Sequence, residues 1–143
     1  MQRLLLAAAL AAALAPAARA ASPVSLRLGG DYLLDGGPGI FSFQLGLEHP
    51  LGRVVSVGGR FGALLTTSPT TGGVPLDVFL RFRAGRAYFE GLGGPWILFQ
   101  GDTLRGHAAV GFGLLTRDFE LGGEIGFLSP DRTQLGVRLG FHL

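Results

Sequence analysis

The chain has 143 residues, of which 48% are hydrophobic and only 15% charged, with 25 glycines and a formal charge of +2. It contains no cysteine, which excludes a disulfide framework and a thiolate metal site. It also lacks asparagine, so no N-linked glycan can form, and lysine, which is unusual for a surface that faces water.

The first twenty residues have the form of an export signal. Arg3 supplies a positive start, Leu4 to Ala15 an apolar run, and Ala18-Arg19-Ala20 a small-x-small motif. This predicts a secretory signal peptide, residues 1–20, cut after Ala20. The run is too short for the ~20 residues that a membrane-spanning helix needs. Cleavage removes Arg3 and Arg19, so in residues 21–143 ten arginines balance ten carboxylates. No net field or basic stripe remains to attract nucleic acid. What remains fits one domain. No later run is long and apolar enough for a membrane helix. Any span must therefore be a closed β-barrel, the other structure that satisfies every backbone group in lipid.

Eight alternating segments follow, separated by turn chemistry. The first, Val24 to Leu34, closes at Asp35-Gly36-Gly37-Pro38-Gly39, and the second runs from Ile40 to Glu48. The third covers Arg53 to Thr66 and leads into the longest loop, Thr67 to Val74. The fourth, Pro75 to Ala84, ends in the tight Gly85-Arg86 turn, a Gly-first hairpin pair. The fifth runs from Ala87 to about Phe99 with a break at Gly93-Gly94-Pro95, and Gln100 to Arg105 is a loop. The sixth is Gly106 to Thr116, the seventh Phe119 to Leu128 and the eighth Thr133 to Leu143. The last two are joined by Ser129 to Arg132. Strands of about 9–11 residues match a tilted transmembrane strand better than a globular one of ~5–6.

Period-two alternation gives each segment one oily and one polar face. Phe41, Phe43, Val57, Val78, Leu80, Val110, Phe112, Ile125, Leu135 and Val137 mark the oily face. The polar face carries Arg27, Asp31, Glu48, Arg60, Asp77, Arg81, Glu90, Glu120, Glu124, Arg138 and His142. Nine glycines lie between them, among them Gly58, Gly111, Gly136 and Gly140. Glycine weakens a strand and offers nothing to pack, so a water-facing surface gains nothing from it. A narrow eight-stranded barrel has interior room only for side chains, and glycine beside arginine provides that room. The expected fold is therefore an all-β, eight-stranded antiparallel up-and-down transmembrane β-barrel with a polar, side-chain-filled interior. The opposite orientation describes a soluble periplasmic lipocalin-like carrier of an apolar ligand. It explains the alternation but leaves the glycines, the missing lysines and the strand lengths unexplained.

Turn geometry predicts cross-strand partners. Centring on Gly85-Arg86 sets Arg81 opposite Glu90. Centring near Asp131 sets Glu124 opposite Arg138 and Glu120 opposite His142. Centring on Gly36 to Gly39 sets Arg27 opposite Glu48 and Asp31 opposite Gln44. Buried charges persist only when paired, so these pairs are expected to plug the lumen.

Sites for chemistry are sparse. Three separated histidines and no cysteine offer no metal cluster, and no cofactor is expected. His107 and His142 are expected in the lumen, and His49 in a turn. Ser42 and Ser56 lie on the polar face with no base assigned to them. Glu120 with His142 is the one acid–imidazole couple, and it is read as structural, not catalytic. A lipid-modifying enzyme is the second alternative reading. Tyr32, Tyr88 and Trp96 occupy positions of the aromatic girdles that border membrane barrels.

With its export signal, eight strands, Arg–Glu-lined polar face and alternating final strand, the chain resembles the small eight-stranded outer-membrane β-barrels of the OmpA-like transmembrane type. The resemblance covers residues 21–143. It implies residence in the outer membrane of a diderm bacterium, contact with outer-membrane lipids, and a structural, envelope-interaction or narrow-pore role without catalysis. It also implies recognition by the barrel-assembly machinery through the last strand, where Leu135, Val137, Leu139 and Phe141 fit, although the final residue is Leu143, not phenylalanine.

Overall fold

A computed structural model describes residues 23–101 and 103–143. The predicted signal peptide and its cleavage point lie outside the described residues. Eight strands follow in order: β1 (Val24–Leu33), β2 (Gly39–Pro50), β3 (Val55–Thr67), β4 (Thr70–Ala84), β5 (Ala87–Leu98), β6 (Leu104–Leu115), β7 (Phe119–Leu128) and β8 (Arg132–His142). Each pairs antiparallel with its sequence neighbours, and β8 pairs with β1 to close the barrel. Closure leaves no strand edge to template aggregation. The fold is the expected all-β, eight-stranded antiparallel up-and-down barrel.

Alternation decides which face goes where. Phe41, Phe43, Val57, Val78, Leu80, Val110, Phe112, Ile125, Leu135 and Val137 all point outward and are exposed, Val78 at 68%. Arg27, Arg60, Arg81, Arg138, Glu120 and Glu124 point inward and are buried, Glu124 at 0%. Because the strand number is even, both ends of the described chain emerge beside the even-numbered connections. The opposite mouth carries the odd-numbered ones: 34–38, Ser68-Pro69, 99–103 and 129–131.

Several boundaries differ from the sequence reading. The expected loop Thr67 to Val74 is almost all strand, with only Ser68-Pro69 left as the turn. The Thr66 hydroxyl donates to the Pro69 carbonyl at 2.7 Å and accepts the Thr71 amide at 3.2 Å. The threonine-rich tip thus satisfies its own backbone as a hairpin. At Gly93-Gly94-Pro95 strand β5 continues and its register is unchanged. Only the pairings of Leu76 with Pro95 and Asp77 with Gly94 drop out, between Val78↔Gly93 and Pro75↔Trp96, because proline has no amide to donate. The 100–105 loop is shorter, since β6 starts at Leu104. His49 belongs to β2, opposite Val57, and not to a turn.

Of the predicted registers, Arg81↔Glu90 is observed. The other two hairpins slide. Glu124 faces Gly136 and Glu120 faces Gly140, because the turn centres on Pro130, whose fixed φ suits a turn tip, and not on Asp131. Arg27 faces Gln44 and Asp31 faces Ile40. Here the turn centres on Asp35-Gly36, where Gly36 adopts φ 73°, a conformation that favours glycine. Each slide moves partners along the strand and leaves them on the same face.

A charge on the outer face is the direct test of this orientation. Val78→Arg, near the middle of β4, should destabilise the barrel in phosphatidylcholine vesicles by about 2–4 kcal/mol, measured by reversible denaturant unfolding. A loss under 0.5 kcal/mol would mean that this face does not meet hydrocarbon.

Candidate functional site

The lumen holds four buried arginines, Arg27, Arg60, Arg81 and Arg138, with the carboxylates Asp31, Asp77, Glu90, Glu120 and Glu124. A charge taken out of water is costly unless paired, and here every one of these side chains has an opposite charge within reach.

Nearest the even-numbered turns, Arg81 lies between three acids. Its guanidinium stands 3.1 Å from Glu48, 2.6 Å from Glu90 and 2.9 Å from Glu120. Two of its nitrogens donate to the same Glu90 oxygen. The Tyr88 ring lies 4.4 Å beneath this guanidinium, so the cation is both paired and stacked. Arg27 joins through Glu120 at 2.8 Å and Glu90 at 3.7 Å, with its guanidinium 5.0 Å from the Phe79 ring. Glu48 is further held by Ser56 and Arg83.

A second knot sits deeper. Arg60 reaches Glu124 at 3.0 Å and Asp77 at 3.3 Å. Glu124 also takes Arg138 at 2.9 Å, and Arg138 takes Asp31 at 2.7 Å. His107 Nδ1 lies 2.9 Å from Asp77, and its Nε2 lies 3.7 Å from Glu124. Arg60 approaches Glu90 at 3.9 Å, so the two knots form one network across the barrel.

The glycines make room for it. A Cβ on Gly111 would lie 2.8 Å from Glu90 Cγ, one on Gly140 2.5 Å from Glu120 Cγ, and one on Gly136 2.7 Å from an Arg138 nitrogen and against the Asp31 carboxylate. Others make room for rings: Gly58 lies against Phe79, and Gly113 and Gly122 lie against Tyr88.

The sequence-predicted residues therefore converge, though often on partners other than those expected. Arg81 meets Glu90 and Arg138 meets Glu124. Arg27 forms ion pairs with Glu120 and Glu90, not Glu48, and Asp31 pairs with Arg138, not Gln44. His142 stands at the even-turn end, 4.0 Å from Glu120.

Two aromatic assignments need correction. Tyr32 is exposed as a girdle residue would be, but Tyr88 and Trp96 are inside, at 2% and 0% exposure. Trp96 donates its indole N–H to Asp77 at 3.2 Å and packs against His107 with ring centroids 4.3 Å apart. On its other side it joins Leu33, Ile40, Leu64, Leu98 and Leu128 in an apolar cluster. This layer separates the ionic network from the mouth at the odd-numbered connections. Above it lies a cup of about 340 Å³. Position parity was the available signal: Tyr88 and Trp96 share the even parity of Glu90, and Phe79 shares the odd parity of Asp77 and Arg81.

Solved structures share this architecture. One is a de novo designed transmembrane β-barrel, with TM-score 0.65 and 9% identity over 87% of this chain and 98% of the design. Another is the N-terminal β-barrel domain of Pseudomonas aeruginosa OprF, with TM-score 0.62 and 12% identity over 87% of this chain and 100% of that domain. At such identities the likeness speaks for the fold. No protein-family model and no curated protein sequence matches the chain.

Removing one partner from the deeper knot should be costly. Glu124→Ala leaves Arg60 with Asp77 and Arg138 with Asp31 but removes the carboxylate that the two guanidiniums share, and it should lower stability by about 3–5 kcal/mol, whereas removal of a surface carboxylate such as Asp131 should cost well under 1 kcal/mol. Gly140→Leu should disturb the lumen through volume alone, by about 1–3 kcal/mol from overpacking. Urea titration of the refolded barrel, followed by gel mobility of the folded band, reads all three.

Proposed function

We propose that the chain is an integral outer-membrane barrel of a diderm bacterium, of the small OmpA-like kind. In this reading it acts as a closed structural or envelope-interaction element and not as an enzyme or an open channel. One observation carries the reading. A continuous belt of large apolar side chains, including Phe43, Val78, Val110 and Val137, faces outward while ionised side chains fill the centre. In water such a belt would far exceed the few hundred Å² of contiguous apolar surface that soluble monomers show, whereas in lipid it is the required exterior. The lipocalin-like alternative needs the reverse arrangement.

The lumen supports a closed role. The ion-pair network runs from Glu48 to Asp77, and the Trp96 layer caps it. An eight-stranded barrel has interior space only for side chains. A lipid-modifying role lacks support from the acid–imidazole couple: Glu120 is engaged by Arg27 and Arg81 at 2.8 and 2.9 Å, nearer than His142 at 4.0 Å. In the membrane, outer-membrane lipids would contact the belt. The outward residues Leu135, Val137, Leu139 and Phe141 of β8 would present the strand to the barrel-assembly machinery. The odd-numbered connections would face outward from the cell, with both ends of the described chain on the periplasmic side.

Membrane fractionation tests this reading. The protein should sediment with outer membranes, resist alkaline extraction and migrate differently on gels before and after boiling. In planar bilayers the purified barrel should give no steady conductance. Recovery in the periplasmic soluble fraction would overturn membrane residence, and stable single-channel steps would overturn the closed lumen.

A further inference from the structure

We propose that the cup at the odd-numbered mouth is a binding site for a small, uncharged, apolar molecule such as a medium-length alkyl chain. The cup has a volume of about 340 Å³, within the range of ligand sites at barrel mouths. At roughly 30 Å³ per light heavy atom, the share of a water molecule in the liquid, it admits about eleven.

The lining argues for the chemistry. Leu33, Ile40, Leu98 and Leu128 surround the hollow, with Trp96 as its floor. Everywhere deeper the same interior face is filled: glutamates and rings press onto glycine backbone, and each buried arginine meets a carboxylate. At this level the inward side chains stop short of one another; a smaller hollow at the opposite mouth, beside Arg83, Arg86 and His142, is lined by charged groups instead. Several polar groups nearby are engaged within the barrel, while Ser68 and Gln100 belong to the rim. The indole N–H of Trp96 points down to Asp77, and the Thr66 hydroxyl is bonded within the β3–β4 tip. Arg105 donates to the Ser129 carbonyl at 3.0 Å and Arg132 to the Asp35 carbonyl at 3.4 Å, tying neighbouring loops together around the opening. A ligand here gains by leaving water and needs no charged head group to be held. The site lies within the barrel, so it does not depend on which way the barrel inserts.

The chain carries a single tryptophan, and it forms the cup floor, so its fluorescence reports occupancy directly. The probe is 8-bromo-1-octanol, whose bromine quenches indole on close approach. The barrel is held in a fluorinated surfactant, which mixes poorly with hydrocarbon and leaves the cup free. Quenching should saturate and should be reversed by unbrominated 1-octanol. Thr71→Phe, which narrows the rim, should raise the half-saturation concentration at least tenfold with the folded gel mobility retained. Quenching that rises linearly without saturation, or that 1-octanol fails to reverse in the unaltered protein, would overturn the site. So would a folded Thr71→Phe barrel that binds as before. The competition arm uses the unaltered chain, so the result stands even if the variant does not fold.

Discussion

The barrel depends on the pairing of Arg60 and Arg81 with the carboxylates around them. An exterior of leucine, valine and phenylalanine can meet lipid only if all charge on the strands is turned inward. Turned inward, that charge has no water to solvate it, and each guanidinium must find its counterion in the opposite wall. Glu90 and Glu124 serve this need by reaching across the barrel. Glu90 comes within 2.6 Å of Arg81, 3.7 Å of Arg27 and 3.9 Å of Arg60, and Glu124 holds Arg60 and Arg138. These contacts join β1, β3, β4, β5, β7 and β8. The network thus acts as a set of cross-braces between strands that the hydrogen-bonded ladder alone joins only to their neighbours. Buried pairs of this kind are weak as net stabilisers yet severe when broken, which suits them to specifying one closed arrangement.

Glycine follows from the same requirement. A carboxylate or guanidinium can cross the lumen only if the wall it approaches is thin. Gly111, Gly136 and Gly140 thin the wall where Glu90, Asp31 and Glu120 lie against it. The strand stability lost at each glycine is the cost of a lumen in which every buried charge can reach a partner. Arginine suits this setting better than lysine. Its planar fork donates to several acceptors at once, as Arg81 does toward Glu48, Glu90 and Glu120.

Much of this was legible in the alternation of polar and apolar residues, because period two assigns a face to every residue whatever the register. Parity alone puts Phe43 and Val78 on one face and Arg81 and Glu124 on the other, and the glycines among the charged residues indicate which face turns inward. Register was less legible. It depends on where each turn is centred, and Pro130 and Gly36 each moved a turn by a residue or two while preserving parity. The partner of a long side chain was least legible. Arg27 finds Glu120 two strands away through the closure of β8 on β1, a relation that no single hairpin contains. Tyr88 and Trp96 show the opposite failure. Their parity placed them inside, but their aromatic character suggested a membrane girdle, and parity was the better guide.

Trp96 joins the two halves of the interior. Its N–H belongs to the ionic network through Asp77, and its ring belongs to the apolar layer with Leu33, Ile40, Leu64, Leu98 and Leu128. By covering Asp77 and His107 the ring keeps water from the deeper knot, where a low dielectric strengthens every paired contact. The same ring gives the mouth a dry floor that is neither charged nor hungry for hydrogen bonds. A barrel packed with ion pairs from end to end would expose its last guanidinium or carboxylate at the opening and offer only a polar surface there. Placing an indole at the boundary lets the ionic braces end in a satisfied acceptor and lets the apolar cup begin on the next layer of side chains.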